Sequence, residues 1–187
     1  MGGLGDIQGL VERSRAGDRE AFRTLVEGHL DAVWRLSRQL TGNDADAEDL
    51  SQEAFLRAWR GIATFRGESA FKTWVFRIVI NLQQTWRTTE ARRPRPLPIA
   101  ESSAEGKDPS GHAVAIAREL AVRVREAIDL LPEKQRLAIT LAAYEGLTVD
   151  EIAEVAGSRP ETVKVNLWLA RKKLREQLGD DIGEVRS

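Results

Sequence analysis

The sequence of 187 residues contains no cysteine and only two histidines, His29 and His112. The absence of cysteine excludes a disulfide framework, a thiol nucleophile and a cysteine-based zinc site. The two histidines stand far apart, no glycine-rich phosphate loop is present, and no pair of carboxylates lies within an apolar stretch. The sequence therefore predicts a protein that is not an enzyme, has no small-molecule substrate and holds neither a metal nor a cofactor.

Long apolar runs are also absent. No stretch approaches the roughly 20 consecutive apolar residues that a membrane-spanning helix needs. The N-terminal stretch MGGLGDIQGL carries neither the basic region nor the apolar core of a secretory signal. We therefore expect a cytoplasmic protein that does not insert into a membrane.

A large net charge is missing as well. The formal net charge is −1 at pH 7, which gives no global attraction for nucleic acid. The charges are unevenly distributed, however, because residues 44–53 contain five carboxylates and no base, whereas residues 159–175 contain six bases and one acid. Since a surface attracts a partner through its local potential, this segregation predicts two oppositely charged surfaces.

Helical periodicity recurs along the chain, and strand signals are almost absent. Between residues 91 and 112 the apolar period disappears, and four of the six prolines occur there. Such a composition is typical of a flexible linker. The sequence therefore predicts an all-α fold of two small helical domains, at 1–90 and 113–178, joined by a linker at 91–112 and followed by a tail at 179–187.

The end of the second domain has the pattern of a helix-turn-helix. Thr148 and Glu151 form a capping box that begins a short helix, Gly157 is suited to end it, and Pro160 begins a longer helix. One side of that longer helix is apolar, through Val163, Leu167, Ala170 and Leu174. Its other side is basic. The pattern fits a DNA-reading helix or an amphipathic hairpin with a solvated basic face, and the clustered bases favour DNA.

A longer motif runs through this domain, with Leu-Pro-x-x-x-Arg, then Gly-Leu-Thr-x-x-Glu-Ile-Ala, then Thr-Val-Lys before the basic helix. Its residues are Leu131, Pro132, Arg136, Gly146, Leu147, Glu151, Ile152, Ala153, Thr162, Val163, Lys164, Ala170 and Arg171. This motif resembles the C-terminal domain of bacterial RNA polymerase sigma factors of the extracytoplasmic-function (ECF) type.

The first domain carries a second motif, Ala-x-Asp-Leu-x-Gln-x-x-Phe followed by Phe-x-Thr-Trp-x-x-x-Ile-x-x-Asn. Its residues are Ala47, Asp49, Leu50, Gln52, Phe55, Phe71, Thr73, Trp74, Ile78 and Asn81. This motif resembles the second conserved region of the same family. The two resemblances stand in the family's order on either side of the linker and cover most of the chain.

The resemblance implies a sigma factor that binds core RNA polymerase and directs it to promoter DNA. It implies that the N-terminal domain docks on the clamp of the largest polymerase subunit and opens the minus-ten element. The C-terminal domain would read the minus-thirty-five element and contact the flap of the second-largest subunit. An anti-sigma factor is a further implied partner, which would hold the two domains in a folded-back state that the linker permits.

Polymerase contact is assigned by the resemblance to the acidic helix. The residues are Asp46, Glu48, Asp49, Gln52, Glu53 and Phe55. Carboxylates that face a basic coiled coil would steer association and set its register. Acids also suit the N-terminus of any helix, where the macrodipole stabilises negative charge, and both explanations stand together.

Contact with the melted minus-ten strand is assigned to the stretch from 65 to 93. The phosphate-binding cations would be Arg66, Lys72, Arg77, Arg87, Arg92 and Arg93, with Trp86 as a stacking face and Asn81, Gln84 and Thr85 at base edges. An amide within an apolar stretch must find partners or face outward, which favours a functional role for Asn81. Phe71, Trp74 and Phe76 lie among apolar neighbours and are expected in the core.

Contact with the minus-thirty-five element is assigned to the basic helix, through Arg159, Glu161, Thr162, Lys164, Val165, Asn166, Trp168, Arg171, Lys172 and Lys173. The chain departs from the family at several positions. Glu161 replaces a Gly, Val165 a Ser, Asn166 an Arg and Leu169 another frequent Arg, and Thr85 and Thr88 replace an Asp and an Arg that often follow Asn81. Because Asn matches adenine in the major groove and Arg matches guanine, we expect an atypical minus-thirty-five preference.

A different class of protein would also explain the basic helix. A stand-alone helix-turn-helix repressor that binds duplex DNA as a dimer needs such a helix, but it gives the acidic helix and the Asn81 segment no role. Binding to core RNA polymerase distinguishes the two classes.

Overall fold

The structure is a computed structural model, and it describes residues 4–90 and 112–179, with side chains from 7 to 87 and from 119 to 179. The helices are α1 (Leu4–Arg15), α2 (Arg19–Thr41), α3 (Asp44–Gly61), α4 (Phe71–Glu90), α5 (His112–Asp129), α6 (Glu133–Ala143), α7 (Val149–Ala156) and α8 (Pro160–Leu178), with one 3-10 turn at Ile62–Thr64. Across these two ranges no strand occurs, and no helix is long and apolar enough to cross a membrane. The all-α prediction is confirmed.

The N-terminal domain begins its long helices at side-chain caps. The carboxylate of Asp18 accepts hydrogen bonds from the backbone N–H groups of Glu20 and Ala21 at the start of α2, and the side chain of Asn43 accepts one from Asp46 at the start of α3. Each cap satisfies donors that a helix start leaves unpaired and stabilises the helix by about 1 kcal/mol. Between them Gly42 ends α2 with a φ of 83°, in the left-handed region that glycine adopts without strain.

The core of this domain lies between α2, α3 and α4. Leu25, Leu50 and Phe76 are almost fully buried. Burial of a side chain of that size stabilises the folded chain by about 1.5–3 kcal/mol. Phe71 and Phe76 lie in the core, as predicted, and Trp74 is half-buried with its ring stacked on that of Phe65 at a centroid distance of 4.8 Å.

The C-terminal domain contains the predicted helix-turn-helix. Thr148 and Glu151 form the capping box at the start of α7, and Gly157 ends that helix with a φ of 57°. Pro160 occupies the first turn of α8. Val163, Leu167 and Ala170 are buried against α6 and α7, and Leu174 is half-buried, so the apolar stripe of the sequence is the inner face of α8.

The two domains contact each other through α4 and α7. Their buried apolar residues form one continuous cluster. Helix α4 ends at Glu90 and α5 begins at His112, while the intervening stretch, which includes most of the predicted linker, lies outside the described residues, as does the chain beyond 179.

Candidate nucleic-acid and polymerase interfaces

The acidic surface of the N-terminal domain is the exposed side of α3. Asp46, Glu48, Asp49 and Gln52 are exposed there, and Glu53 is half-buried. Several of these side chains are held by their own helix, because the amide of Asn43 donates to Asp46 at 2.6 Å and that of Gln52 donates to Glu48 at 3.1 Å. Arg57 donates to Glu53 at 2.9 Å.

A groove of about 510 Å³ lies beside this acidic surface, between α2 and α3. Its lining is Leu30, Asp31, Trp34, Arg35, Glu48, Ser51, Gln52 and Phe55. Leu30 is 47% exposed and Trp34 39%, and Leu56 of α3 is 51% exposed. Phe55, a predicted contact residue, is only 8% exposed, so it forms the floor of the groove rather than its rim.

Leu30 and Trp34 were not among the predicted contact residues. The signal in the sequence is their spacing of four, which places them on one side of α2 next to the inward-facing Val33 and Leu36. An apolar pair at the edge of a buried stripe cannot be distinguished from the core by periodicity alone. The structure shows that this pair is only partly covered.

Helix α4 presents polar side chains outward over much of its length. Asn81, Gln84 and Thr85 are exposed, and the Thr85 hydroxyl donates to the carbonyl of Asn81 at 2.9 Å. Trp86 is half-buried and packs against the apolar core, so only part of its ring faces solvent. Arg66, in the loop before α4, is exposed and lies 3.7 Å from Glu68.

Three of the cations assigned to the minus-ten strand contact the C-terminal domain. Lys72 Nζ donates to the carbonyl of Glu145 at 2.7 Å, and Arg77 lies 3.6 Å from Glu154. Arg87 forms an ion pair with Glu133 at the start of α6. Of the other three, Arg66 is exposed in the loop before α4, and Arg92 and Arg93 lie outside the described residues.

Two residues of α2 extend this contact. Arg35 donates to both carboxylate oxygens of Glu145, at 3.1 and 3.4 Å, and Gln39 donates to Asp129 at 3.0 Å. The side chain of Glu145 is 3% exposed. A carboxylate so far removed from water requires a partner, and Arg35 supplies it in the two-point geometry that guanidinium favours.

Helix α8 turns an uncovered side to solvent. The exposed residues assigned to the minus-thirty-five element are Arg159, Glu161, Thr162, Lys164, Val165, Trp168, Arg171 and Lys172. Two apolar side chains stand at the centre of this side, Val165 at 56% and Trp168 at 61% exposed. Lys172 Nζ lies over the Trp168 ring, 5.6 Å from its centroid. Asn166 and Lys173 are half-buried beside the exposed side.

The N-terminal domain also affects the pKa of the carboxylate that caps α7. The hydrogen bond from the Thr148 N–H lowers the pKa of Glu151 below its ordinary value, and partial burial opposes that shift. The Thr148 hydroxyl and the charge of Lys72 lower it further.

No group of His, Asp or Glu in residues 4–90 and 112–179 is arranged to hold a metal ion.

Comparison with known proteins identifies the family. Residues 25–93 match the sigma-70 region 2 family, and residues 121–174 match the sigma-70 region 4 family. The chain is 36% identical over 180 residues to the ECF RNA polymerase sigma-E factor of Haemophilus influenzae, an overlap of 91% of this chain and 94% of that protein. The chain belongs to the ECF family of sigma factors.

Other relatives agree with this assignment. The RNA polymerase sigma-H factor of Pseudomonas aeruginosa is 35% identical over 179 residues, which cover 91% of this sigma factor and 93% of that protein. The structure of CnrH in complex with the cytosolic domain of CnrY superposes with a TM-score of 0.69 at 25% identity, over 94% of this chain and 99% of that one. RpoE of Bartonella quintana, in complex with the anti-sigma factor NepR, shares the fold with a TM-score of 0.67 at 23% identity, over 86% of this chain and 98% of that one. This sigma factor is a transcription initiation factor that directs RNA polymerase to promoters.

Proposed function

We propose that this sigma factor divides its work among three surfaces. The groove between α2 and α3 docks on core polymerase, α4 contacts the minus-ten strand, and α8 reads the minus-thirty-five element. The groove is the observation that carries the proposal. Leu30, Trp34 and Leu56 expose apolar surface beside a row of carboxylates. An exposed apolar patch with a polar rim is typical of a protein contact.

Docking would use both the apolar and the acidic residues of that surface. Trp34 is a large aromatic side chain at the edge of a groove, the kind of residue that contributes most to binding at protein interfaces. Glu48 and Asp49 would steer a basic coiled coil of the polymerase clamp toward it. The C-terminal domain would contact the flap of the second-largest polymerase subunit. The polymerase would catalyse RNA synthesis, and both proteins would act in the cytoplasm.

The polar side of α4 is suited to unpaired bases. Asn81 and Gln84 are exposed, and their side-chain amides can both donate to and accept from base edges. Lys72, Arg77 and Arg87 would bind phosphates of the same strand. Because Trp86 packs partly against the core, it would stack through one ring edge or face only.

The exposed side of α8 favours an apolar contact with the duplex. Val165 stands one turn before Trp168 at the centre of that side, whereas Asn166 is half-buried at its edge. In the major groove an apolar side chain distinguishes thymine by its C5-methyl group. Val165 would therefore read a thymine, and Asn166 would contact an adjacent adenine only from the edge of α8. Replacement of thymine by deoxyuridine in the element should weaken binding about fourfold, the value of one buried methyl group.

An anti-sigma factor is the remaining partner. The family resemblance implies one, and CnrH, which covers nearly the same length of chain, is held in a complex with the cytosolic domain of CnrY. Capture of a membrane-anchored or soluble inhibitor that competes with core polymerase for the groove would identify it.

Reconstitution with core polymerase tests the proposal. Addition of the chain should redirect core to specific start sites, and Trp34→Ala or Asp49→Lys should weaken core binding about tenfold by loss of anchor area or steering charge. Glu12→Lys makes the same charge change as Asp49→Lys at an exposed position on α1, outside both the groove and the acidic side of α3. A chain that fails to redirect core, or a groove variant that binds core as well as Glu12→Lys, would contradict the assignment.

A further inference from the structure

The polar contacts between the two domains all have the same arrangement of charge. In each of those between described residues, the N-terminal domain supplies the donor or cation and the C-terminal domain supplies the acceptor or carboxylate. The donors are Arg35 and Gln39 of α2 and Lys72, Arg77 and Arg87 of α4, and the acceptors belong to Asp129, Glu133, Glu145 and Glu154. We refer to these four acidic residues as the acidic face.

The C-terminal domain therefore has two charged faces with different neighbours. Its acidic face lies against α2 and α4, while the basic side of α8 is exposed to solvent. Carboxylate and phosphate are alternative partners for the same guanidinium and ammonium groups. The acidic face thus places carboxylates on Arg77 and Arg87, and a backbone carbonyl on Lys72, where these cations would otherwise be available to a nucleic-acid backbone.

We propose that the acidic face is an intramolecular docking surface that competes with the minus-ten strand for α4. While Lys72, Arg77 and Arg87 are bound to the acidic face, the strand must displace the C-terminal domain before it can bind. The competition with DNA rests on the proposed function of α4, whereas the docking of the two domains does not. This contact forms between two domains of the same chain and requires no inhibitor.

The separation of the two promoter elements makes opening necessary. Positions 10 and 35 base pairs upstream of a start site lie about 85 Å apart along a duplex, at about 3.4 Å per base pair. In the described structure α4 and α7 pack against each other. A chain in which they touch cannot place α4 and α8 on both elements, so the docked arrangement is not the promoter-bound one.

The two ion pairs between α4 and the acidic face are individually weak. The side chains of Arg77 and Glu154 are 46% and 36% exposed, and those of Arg87 and Glu133 are 56% and 55% exposed. Exposed ion pairs contribute little individually and are screened by salt. High ionic strength and competing phosphates should therefore weaken both pairs and shift the chain toward the open arrangement, while the buried Glu145 carboxylate and the shared apolar cluster oppose opening.

Distance measurement tests the docking directly. Because the chain has no cysteine, Ala63→Cys and Gln177→Cys, both at exposed positions, allow a spin label on each domain without background labelling. The free chain at low salt should give one narrow distance distribution, and Glu133→Lys with Glu154→Lys should shift the population to longer distances. Glu126→Lys with Asp150→Lys adds the same charge at exposed positions that form no ion pair with the N-terminal domain among the described residues, and it should keep the distribution of the wild type.

A charge swap separates a specific contact from a general effect of charge. Arg77→Glu alone should lengthen the distance, and Arg77→Glu with Glu154→Arg should restore it. Equal distances in the wild type and the Glu133→Lys, Glu154→Lys variant would overturn the docking. So would a control pair that opens to the same extent.

Binding of a labelled single strand with the minus-ten sequence tests the competition. At low salt the Glu133→Lys, Glu154→Lys variant should bind about tenfold more tightly than the control pair, because it no longer holds α4 and carries the same net charge. Equal affinity of two variants that differ in distance would overturn the competition. If neither variant binds any strand while the distances differ as expected, the role of α4 in strand contact fails and the docking stands.

Discussion

The two helices proposed to contact promoter DNA differ in what covers their cations. Lys72, Arg77 and Arg87 of α4 each contact the C-terminal domain. On α8, by contrast, Lys164 and Arg171 form no ion pair within the described parts of the chain, and Lys172 pairs only with Glu176 of its own helix, at 4.0 Å. One helix is covered by its own chain and the other is open.

The sequence of each helix explains this difference. Helix α4 contains no acidic residue before its last position, Glu90, so its cations can be neutralised only from outside the helix. Helix α8 carries Glu161 and Glu176 within its own length and needs less from its neighbours. A helix rich in bases and free of acids is therefore available to an acidic face of the same chain, as it is to DNA.

The comparison implies an order of events. The open helix can contact duplex DNA in the docked chain, whereas the covered helix can contact a strand only after the domains separate. Polymerase docking through the groove between α2 and α3 would act beside the domain contact, because Arg35 lines the groove and also donates to Glu145. Removal of two cations of α8, of each of two tryptophans and of one carboxylate tests this difference.

The largest effect should come from removal of the open cations. Lys164→Ala with Arg171→Ala should weaken promoter binding by the holoenzyme about 10–100-fold, because each lost phosphate contact is charge-assisted. The slope of log affinity against log salt should fall by about 2. Titration of holoenzyme against promoter DNA at several salt concentrations measures both, and core binding should be unchanged.

The matched control for this pair is Arg123→Ala with Lys134→Ala, which removes two exposed bases of the same domain outside α8. An equal loss of affinity in the control would show that the domain attracts DNA by its charge alone. That result would contradict the assignment of α8 as the helix that reads the minus-thirty-five element.

A second, smaller effect should separate two tryptophans. Trp86 packs partly against the core, so Trp86→Ala should lower the free energy of unfolding by about 2 kcal/mol, less than the about 3–5 of a fully buried tryptophan. Trp168 is 61% exposed. Trp168→Ala should therefore change the free energy of unfolding by about 0.5 kcal/mol or less while weakening duplex binding. Urea unfolding of both variants measures the difference, and a destabilising Trp168→Ala would place that ring in packing rather than recognition.

Short-range rules predicted much of this fold. The start of α7 and the break at Gly157 follow from caps that act over three or four residues, and the structure contains both of them. The inner stripe of α8 follows from spacing that a single helix determines. These features require no knowledge of any other part of the chain.

Long-range pairing could not be predicted in the same way. Arg35 and Glu145 are 110 residues apart, and each is indistinguishable in the sequence from a solvated surface charge. Leu30 and Trp34 belong to an apolar helix edge whose exposure depends on what packs beside it. Phe55 matches a contact motif yet lies at 8% exposure, because the same motif also supplies the core.

The smallest effect should come from the capping carboxylate that connects the two regions. Hydrogen bonds from Thr148 and the charge of Lys72 keep the pKa of Glu151 below its ordinary value in the folded chain. Since the folded pKa is the lower one, Glu151 stabilises the fold above the pKa of the unfolded chain, and this contribution is lost as pH falls through the folded pKa. Glu151→Gln keeps an acceptor at the capping box and should cost about 0.5 kcal/mol at pH 7.

The dependence on acid should identify the source of this stability. Unfolding measured from pH 7 down to pH 3 should show a shallower loss in Glu151→Gln than in the wild type, because the variant has no proton to gain at that position. Asp150→Asn removes a first-turn acid that lies next to Glu151 but is not part of the capping box, and it should keep the loss that depends on Glu151. The spin-label distance should also lengthen in the wild type as Glu151 is protonated, because Lys72 then loses one attraction toward α7. A Glu151→Gln variant with the acid profile of the wild type would place the effect on other carboxylates of the interface.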